Sequence, residues 1–348
     1  MRQKVNSIDI IRIVLIFVVF LCHTSSMLPE QIGFFFQALT GYALEMFFII
    51  SGLLSAVNYY CYDIIKTNEF VKHKLTKIYP LHFVMYLACF LLELFLNQKS
   101  IIKLLIYSIP NLLLIQSWIP NLEYIYSFNG VTWFLSSLFF CWIITPNVIR
   151  YIQNKKNKTI KWDLFALIIF RGIYIIVFRK YIGFDTFYFV NIMPLYRMME
   201  YLIGINLGIL YLHKKEHITS DIIQVSSVLS LIIIFSLDLN SRYFEPFFIV
   251  FELFCIYSLC FIDGIITRVA KSGIIKYCSS ISFSFFIIHQ VVIKYIEFVL
   301  KFFNITIFKI NAIKWLTILI ITLVLCEIYR KISNRYLSVY LPKNKNVQ

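Results

Sequence analysis

Residues 8–23 read IDIIRIVLIFVVFLCH, an apolar run that also carries an acid, a guanidinium and an imidazole. On a helix with 3.6 residues per turn, Arg12 and His23 are separated by about three full turns plus 20°, so both project from one face. Their separation along the axis is roughly 16 Å, about half of the hydrocarbon thickness of a bilayer. Asp9 lies one turn before Arg12 and can pair with it. Because charge inside a spanning helix is costly, this face predicts a functional site. The alternative is that Arg12 snorkels to the interface and His23 only packs.

The composition is typical of a polytopic membrane protein. The chain has 348 residues, of which 60% are hydrophobic and 15% charged, whereas about a quarter of residues are charged in soluble domains. Apolar runs that are long enough to span a bilayer recur along it. The formal net charge of +15 is expected in cytoplasmic loops, and no nucleic-acid partner is predicted.

The cysteines predict no metal site or disulfide, and the N-terminal run predicts no cleaved signal peptide. The cysteines are scattered with no CxxC motif, so neither a metal site nor a disulfide framework is predicted. The apolar run at 8–23 is followed by a poor match to a cleavage site, which predicts a retained helix.

Windows of about 20 residues predict ten transmembrane helices. These spans lie near residues 8–27, 34–60, 79–96, 131–148, 163–180, 193–212, 221–237, 245–263, 280–300 and 312–330. The segment near 100–130, which contains Pro110 and Asn111, is predicted to be re-entrant or interfacial, because the basic stretches then all fall on one side. The resulting fold class is an all-α polytopic membrane protein with both termini cytoplasmic. Residues 1–340 form one membrane domain and 341–348 a short basic tail.

The second span and the basic stretch after it hold four more candidates. Glu45 needs a partner or a proton in so apolar a run. Ser51, with Gly52, allows the backbone of a neighbouring helix to approach closely, which packing alone explains. Lys74 and Lys77 lie one helical turn apart in a predicted cytoplasmic loop, before Tyr79 and Pro80 open the third span. This basic pair attracts phosphates, either of lipid head groups or of an anionic cofactor.

Three polar residues are candidates at the outer side. Trp133 enters the fourth span at interface depth, where an aromatic belt is expected. Arg197 and Glu200 have i,i+3 spacing near the start of the sixth span. They form either an interfacial ion pair or a contact to substrate.

Two polar residues lie in the middle of predicted spans. His289 is either a buried hydrogen-bonded group or a part of the reaction path. Arg171 has no partner in its own helix and is expected to pair with Glu45 or Glu93.

Several blocks of this chain resemble, in order, the motifs of the integral-membrane acyltransferase 3 family. The blocks are residues 9–12 (DIIR), Arg12 with His23, residues 45–52 (EMFFIISG), residues 74–80 (KLTKIYP), residues 133–135 (WFL), residues 197–200 (RMME) with Gly204, and residues 286–289 (FIIH). Two positions depart from the pattern. The basic RxxR motif is Lys-x-x-Lys here, which keeps charge but loses bidentate geometry. Ser137 stands where many members have a glutamate.

The resemblance implies an enzyme that moves an acyl group, usually acetyl, from a cytoplasmic coenzyme A thioester to a hydroxyl. The acceptor would be a cell-envelope glycan or a lipid-linked saccharide at the plasma membrane of a bacterium. Acetyl-coenzyme A or another acyl-coenzyme A would be a donor substrate, with no bound cofactor and no metal.

The resemblance also implies roles for these residues. His23 would be the general base, directly or through a transient acyl-imidazole, and Arg12 would position the donor. Lys74 and Lys77 would attract the phosphates of coenzyme A. The acceptor or its pathway would be lined by Glu45, Ser51, Trp133, Arg197, Glu200 and His289.

A transporter or flippase for a glycan or a lipid-linked sugar is the competing class, because such proteins also carry intramembrane arginine and histidine. Transporters often show paired internal repeats, which are not evident here. An envelope-assembly scaffold is a third class, and buried charge gives it little support.

Overall fold

The computed structural model describes residues 7–60, 66–96, 99–181, 186–214, 218–238, 245–304 and 311–340. Within these ranges the chain forms fourteen α-helices and one pair of two-residue strands. The helices are α1 (Ser7–His23), α2 (Glu30–Tyr59), α3 (Thr67–Leu96), α4 (Ile101–Leu112), α5 (Leu122–Ile125), α6 (Trp133–Gln153), α7 (Asn157–Tyr181), α8 (Thr186–Asn191), α9 (Pro194–Leu212), α10 (Asp221–Asp238), α11 (Glu245–Phe261), α12 (Ile265–Ala270), α13 (Gly273–Phe302) and α14 (Asn311–Tyr340). The predicted tail at 341–348 lies outside the described residues.

The architecture is that of an all-α membrane protein. Helices lie at all ten positions where spans are predicted. Five of the described helices are long and apolar enough to cross a bilayer, namely α2, α3, α6 with the turn before it, α13 and α14. The number of crossings and the side of each terminus stay predictions. The only strands in the described ranges are β1 (Ile218–Thr219) and β2 (Ile262–Asp263), which pair in parallel.

The segment between α3 and α6 contains only short helices. α4 has 12 residues, a length of about 18 Å, which is less than the ~30 Å of hydrocarbon. It packs against α3, where the Tyr86 hydroxyl donates to Ser108 at 2.7 Å and the Tyr79 hydroxyl to the Leu112 carbonyl at 3.0 Å. Its length therefore fits a helix that does not cross, as predicted for this segment.

The basic stretch before the third predicted span is helical, so the predicted cytoplasmic loop contains the first turns of α3. α3 begins at Thr67, so Lys74 and Lys77 lie on it and Pro80 is inside it. No glycine or proline occurs between Thr67 and Tyr79, so the chain has no local reason to leave the helix there. Pro80 removes one backbone donor, and α3 continues through it to Leu96.

The main helix–helix contact joins α2 to α9 with their backbones touching. A Cβ atom on Gly52 would lie 2.0 Å from the Tyr201 carbonyl oxygen, and one on Gly204 would lie 1.9 Å from that of Ile49. Only glycine fits at these two positions, because a methyl group would collide with backbone that cannot move aside. The contact places the polar residues of α2 and α9 in one layer.

Gly204→Ala is expected to destabilise the protein, because the added methyl group pushes α9 away from α2. Overpacking of this kind lowers the free energy of unfolding by about 1–3 kcal/mol. Thermal unfolding of the protein in detergent measures it. Gly273→Ala is the matched control, since a Cβ there meets nothing within 4 Å. An unchanged midpoint for Gly204→Ala would contradict the close contact.

Candidate active site

A cavity of about 270 Å³ lies at the end of α1 that carries His23. Four of the predicted site residues line it, namely His23, Glu45, Trp133 and Arg197. They come from α1, α2, α6 and α9, which are far apart in the chain. The tertiary structure thus brings together an imidazole, a carboxyl, an indole and a guanidinium.

His289 is a second imidazole next to His23, and their ring centres are 5.3 Å apart. Its Nδ1 lies 3.0 Å from the Phe285 carbonyl oxygen, which can only accept, so Nδ1 carries a proton. In the neutral ring Nε2 is then an acceptor. Nε2 is buried with no hydrogen-bond partner among the described residues, so it is an unused acceptor on a ring next to His23.

Arg197 is held rigidly in the wall of the cavity. Its Nη1 donates to both carboxylate oxygens of Glu200 at 2.9 and 2.7 Å, and its Nε donates to the Asn191 carbonyl at 2.6 Å. The guanidinium centre lies 5.9 Å from the centre of the Trp133 ring, a cation–π distance. The predicted pairing of Arg197 with Glu200 is confirmed.

Arg171 pairs with Glu45 behind the cavity. Arg171 Nη2 lies 2.5 Å from Glu45 Oε2, and its Nε lies 3.7 Å from Glu200 Oε1. Of the two partners expected from the sequence, Glu45 is the correct one, since Glu93 pairs with Lys99 at 3.2 Å. The two arginines and two glutamates thus form one buried network, from which Glu45 Oε1 has no hydrogen-bond partner among the described residues.

The opposite end of α1 and α2 is positively charged. Arg12 pairs with Asp9 at 3.7 Å, and Asp9 accepts a hydrogen bond from the Ser279 hydroxyl at 2.7 Å. Lys74 lies within electrostatic range of Arg12 and Lys77.

Lys74 points into the protein as well as towards these cations. Its Nζ lies 3.5 Å from Ser55 Oγ and 5.5 Å from the centre of the Tyr59 ring. The Tyr201 hydroxyl donates to Ser55 at 2.8 Å, so this end is tied to α9. Ser51, a predicted site residue, lies one turn away on α2 and is half-buried.

The two ends are separated by about 15 Å along α2, from Glu45 to Ser55, and by about 16 Å along α1, from Arg12 to His23. A cationic end suits phosphates. An end with two imidazoles, a fixed guanidinium and an aromatic ring suits a hydroxyl-bearing substrate that must lose a proton.

Residues 5–330 match the model of the acyltransferase 3 family, which is described as an acyltransferase domain. The chain belongs to this family. One curated relative is the acyltransferase MdmB of Streptomyces mycarofaciens, which is 28% identical over 152 residues, 41% of this chain and 39% of that protein. The chain thus spans about two fifths of the length of the curated relative it matches. No solved structure matches it.

In this acyltransferase 3 member, sequence reasoning missed one charged residue of the site. Glu252 on α11 is fully buried, and its carboxyl lies beside that of Glu45. It is a single acid within the apolar run PFFIVFELFCIYSLCF at 246–261. The signal that singled out Glu45 and Arg171, a charge inside a spanning run, would also have found it.

Removal of Arg171 is expected to destabilise this acyltransferase strongly. Arg171→Met leaves Glu45 buried without its cation, and losing one partner of a buried pair lowers stability by about 3–5 kcal/mol. Thermal unfolding in detergent measures the loss. The matched control is Arg268→Met, which breaks an exposed pair with Asp221, 61% and 51% exposed, and should keep a midpoint near that of the wild type. Equal midpoints for the two variants would contradict a role of Arg171 in the fold.

Proposed function

We propose that this protein moves an acyl group, acetyl in the simplest case, from a cytoplasmic acyl-coenzyme A to a hydroxyl of an envelope or exported polysaccharide. The observation that carries the proposal is the cavity in which His23 meets Glu45, Trp133 and Arg197. Family membership supports acyl transfer. Beyond acyl transfer, we propose the acyl-coenzyme A donor, the polysaccharide acceptor and a location in the bacterial plasma membrane.

The cationic end would receive the donor. Coenzyme A carries phosphates, and Arg12, Lys74 and Lys77 provide positive potential from two helices at one end of the bundle. Lysine binds phosphate as a point charge, so Lys-x-x-Lys can replace Arg-x-x-Arg in this role with looser geometry. The long arm of the donor would then bring the thioester towards His23.

The cavity end would carry out the transfer. His23 takes the proton of the acceptor hydroxyl while the oxygen attacks the thioester carbonyl. The carbon–sulfur bond breaks, and the proton passes from His23 to the departing thiolate. An alternative sequence puts the acyl group first on His23 as an acyl-imidazole. His289, whose Nε2 is an acceptor, would orient His23 in either sequence.

The wall of the cavity would bind a saccharide. Trp133 offers an apolar ring beside the rigid Arg197 guanidinium, and Glu45 lines the same cavity. An apolar surface next to fixed donors and acceptors fits a sugar, which has both C–H faces and hydroxyls. Glu200 would act through Arg197, which it holds in place.

His23→Ala is expected to lower acyl transfer by roughly 10²–10⁴-fold, the usual contribution of a general base. Membranes are incubated with radiolabelled acetyl-coenzyme A, and label in the saccharide fraction is counted. The matched control is His213→Gln, because His213 lies outside the cavity and bonds to Tyr60 and Asn157. Normal transfer by His23→Ala would overturn its role, and no label transfer by the wild type, with the saccharide still exported, would favour a transporter.

Lys77→Ala is expected to raise the KM for acyl-coenzyme A roughly two- to fivefold, the range for one exposed charge pair, while kcat changes little. Lys77→Arg keeps the charge and should restore the KM. The control is Lys301→Ala. The start of α13 lies at the cationic end, because Ser279 contacts Asp9 there. Lys301 lies at the other end of the same helix, away from the proposed donor site. Added salt should raise the wild-type KM as well. A KM that does not respond to Lys77 would contradict this donor site.

A further inference from the structure

Glu252 is a buried acid without a cation of its own. It lies on α11, is 0% exposed, and neither of its carboxyl oxygens makes a hydrogen bond of ordinary geometry within the described residues. The charged group that acts on it most strongly is another acid, Glu45, whose carboxyl lies beside it. Two ionised carboxylates that lie side by side repel one another strongly when water is excluded.

The charges of the cluster do not balance if every acid is ionised. The cluster contains two guanidiniums, of Arg171 and Arg197, and three carboxyls, of Glu45, Glu200 and Glu252, and each of these residues is at most 3% exposed. Arg197 pairs with Glu200 at 2.7 Å, and Arg171 pairs with Glu45 at 2.5 Å. One negative charge is therefore left over, and a proton is the simplest way to remove it.

Apart from Arg171 on α7, the described helices next to α11 bring no further cation to Glu252. The charged groups that act on it are Glu45 on α2, Arg171 on α7 and Glu200 on α9. α10 has no charged residue between Ile222 and Leu237. On α1, Asp9 pairs with Arg12 at the far end and His23 faces the cavity.

We propose that Glu252 and Glu45 share one proton, and that Glu252 is a positioning residue which holds the Glu45 carboxyl at the wall of the cavity. The contact between the two buried carboxyls and the excess of acids over guanidiniums carry this inference. A protonated Glu252 donates a hydrogen bond to Glu45, while Arg171 fixes the other side of that carboxyl. Glu45 is then held in one orientation between Glu252 and Arg171.

This pair has a consequence for the substrate, which rests on the proposed function. The Glu45 carboxyl, kept in place by Glu252, holds Arg171, which reaches Glu200 and through it the Arg197 guanidinium in the cavity wall that would orient the acceptor towards His23. At alkaline pH the shared proton is lost. The two carboxylates then repel one another, and Glu45 no longer keeps its orientation. Activity should therefore fall at high pH for a reason separate from the titration of His23.

Infrared spectroscopy tests the shared proton without any activity measurement. A protonated carboxyl absorbs as a carbonyl band that carboxylates lack, and this band shifts in deuterium oxide. We expect Glu252→Gln to abolish the band of the buried pair, and Glu45→Gln to abolish it as well, because either remaining acid then pairs with Arg171 and ionises. Glu297→Gln is the matched control, since Glu297 is 52% exposed and pairs with Lys314. A band that survives in both cluster variants would overturn the proposal.

The pH profile of kcat/KM tests the positioning role. Glu252→Gln keeps the shape and a donor but cannot ionise, so its alkaline fall in kcat/KM should disappear while the acid fall remains. Glu252→Met removes the donor and should lower kcat/KM at every pH. A Glu252→Gln profile that superimposes on that of the wild type would overturn the role of Glu252. Absence of transfer by the wild type itself would instead contradict the proposed function, and the infrared result would still decide the shared proton.

Discussion

The pairing of Arg171 with Glu45 is the interaction on which the site depends. It joins α7 to α2 through two charges that are 0% and 4% exposed in their side chains. In a low-dielectric interior neither charge is tolerated alone. The pair therefore fixes the position of α7 relative to α2, and through Glu200 it also ties in α9. Glu45 belongs both to this network and to the wall of the cavity, so the packing of the bundle and the shape of the site are set by the same contacts.

The glycine contact between α2 and α9 explains why such a network can form. Gly52 and Gly204 let the two backbones touch, and side chains on either side of the contact then meet directly. Towards one end, Glu45 and Glu200 both reach Arg171. Towards the other end, the Tyr201 hydroxyl donates to Ser55, which also accepts from Lys74. A wider helix separation would break the bond of Ser55 to Tyr201 across the contact, and losing bonds between buried polar groups is unfavourable in an apolar surrounding.

Local rules were enough to predict the parts of the site that depend on a single helix. The common face of Arg12 and His23 follows from the helix period, and the pairing of Arg197 with Glu200 from i,i+3 spacing. The partner of Arg171 could be narrowed to two acids because a buried charge requires one. Contacts between distant helices could not be predicted, since nothing in the local sequence sets the distance between His23 and His289. Glu252 was not predicted, although the same rule applied to it. The start of α3 was predicted too late, because hydropathy marks the apolar part of a helix and not its polar first turns.

The two ends of α1 differ in charge, and this difference bears on how one enzyme would handle two unlike substrates. At one end the cations of Arg12, Lys74 and Lys77 outnumber the acid Asp9, which favours an anionic ligand. At the other end lie two imidazoles and a cluster in which a shared proton leaves no net charge, and this favours a neutral hydroxyl compound. About 16 Å separates Arg12 from His23, so one acyl group cannot contact both side chains. A donor with charged phosphates and a long neutral arm fits this separation, because its charge can stay at the cationic end while its thioester reaches the imidazoles.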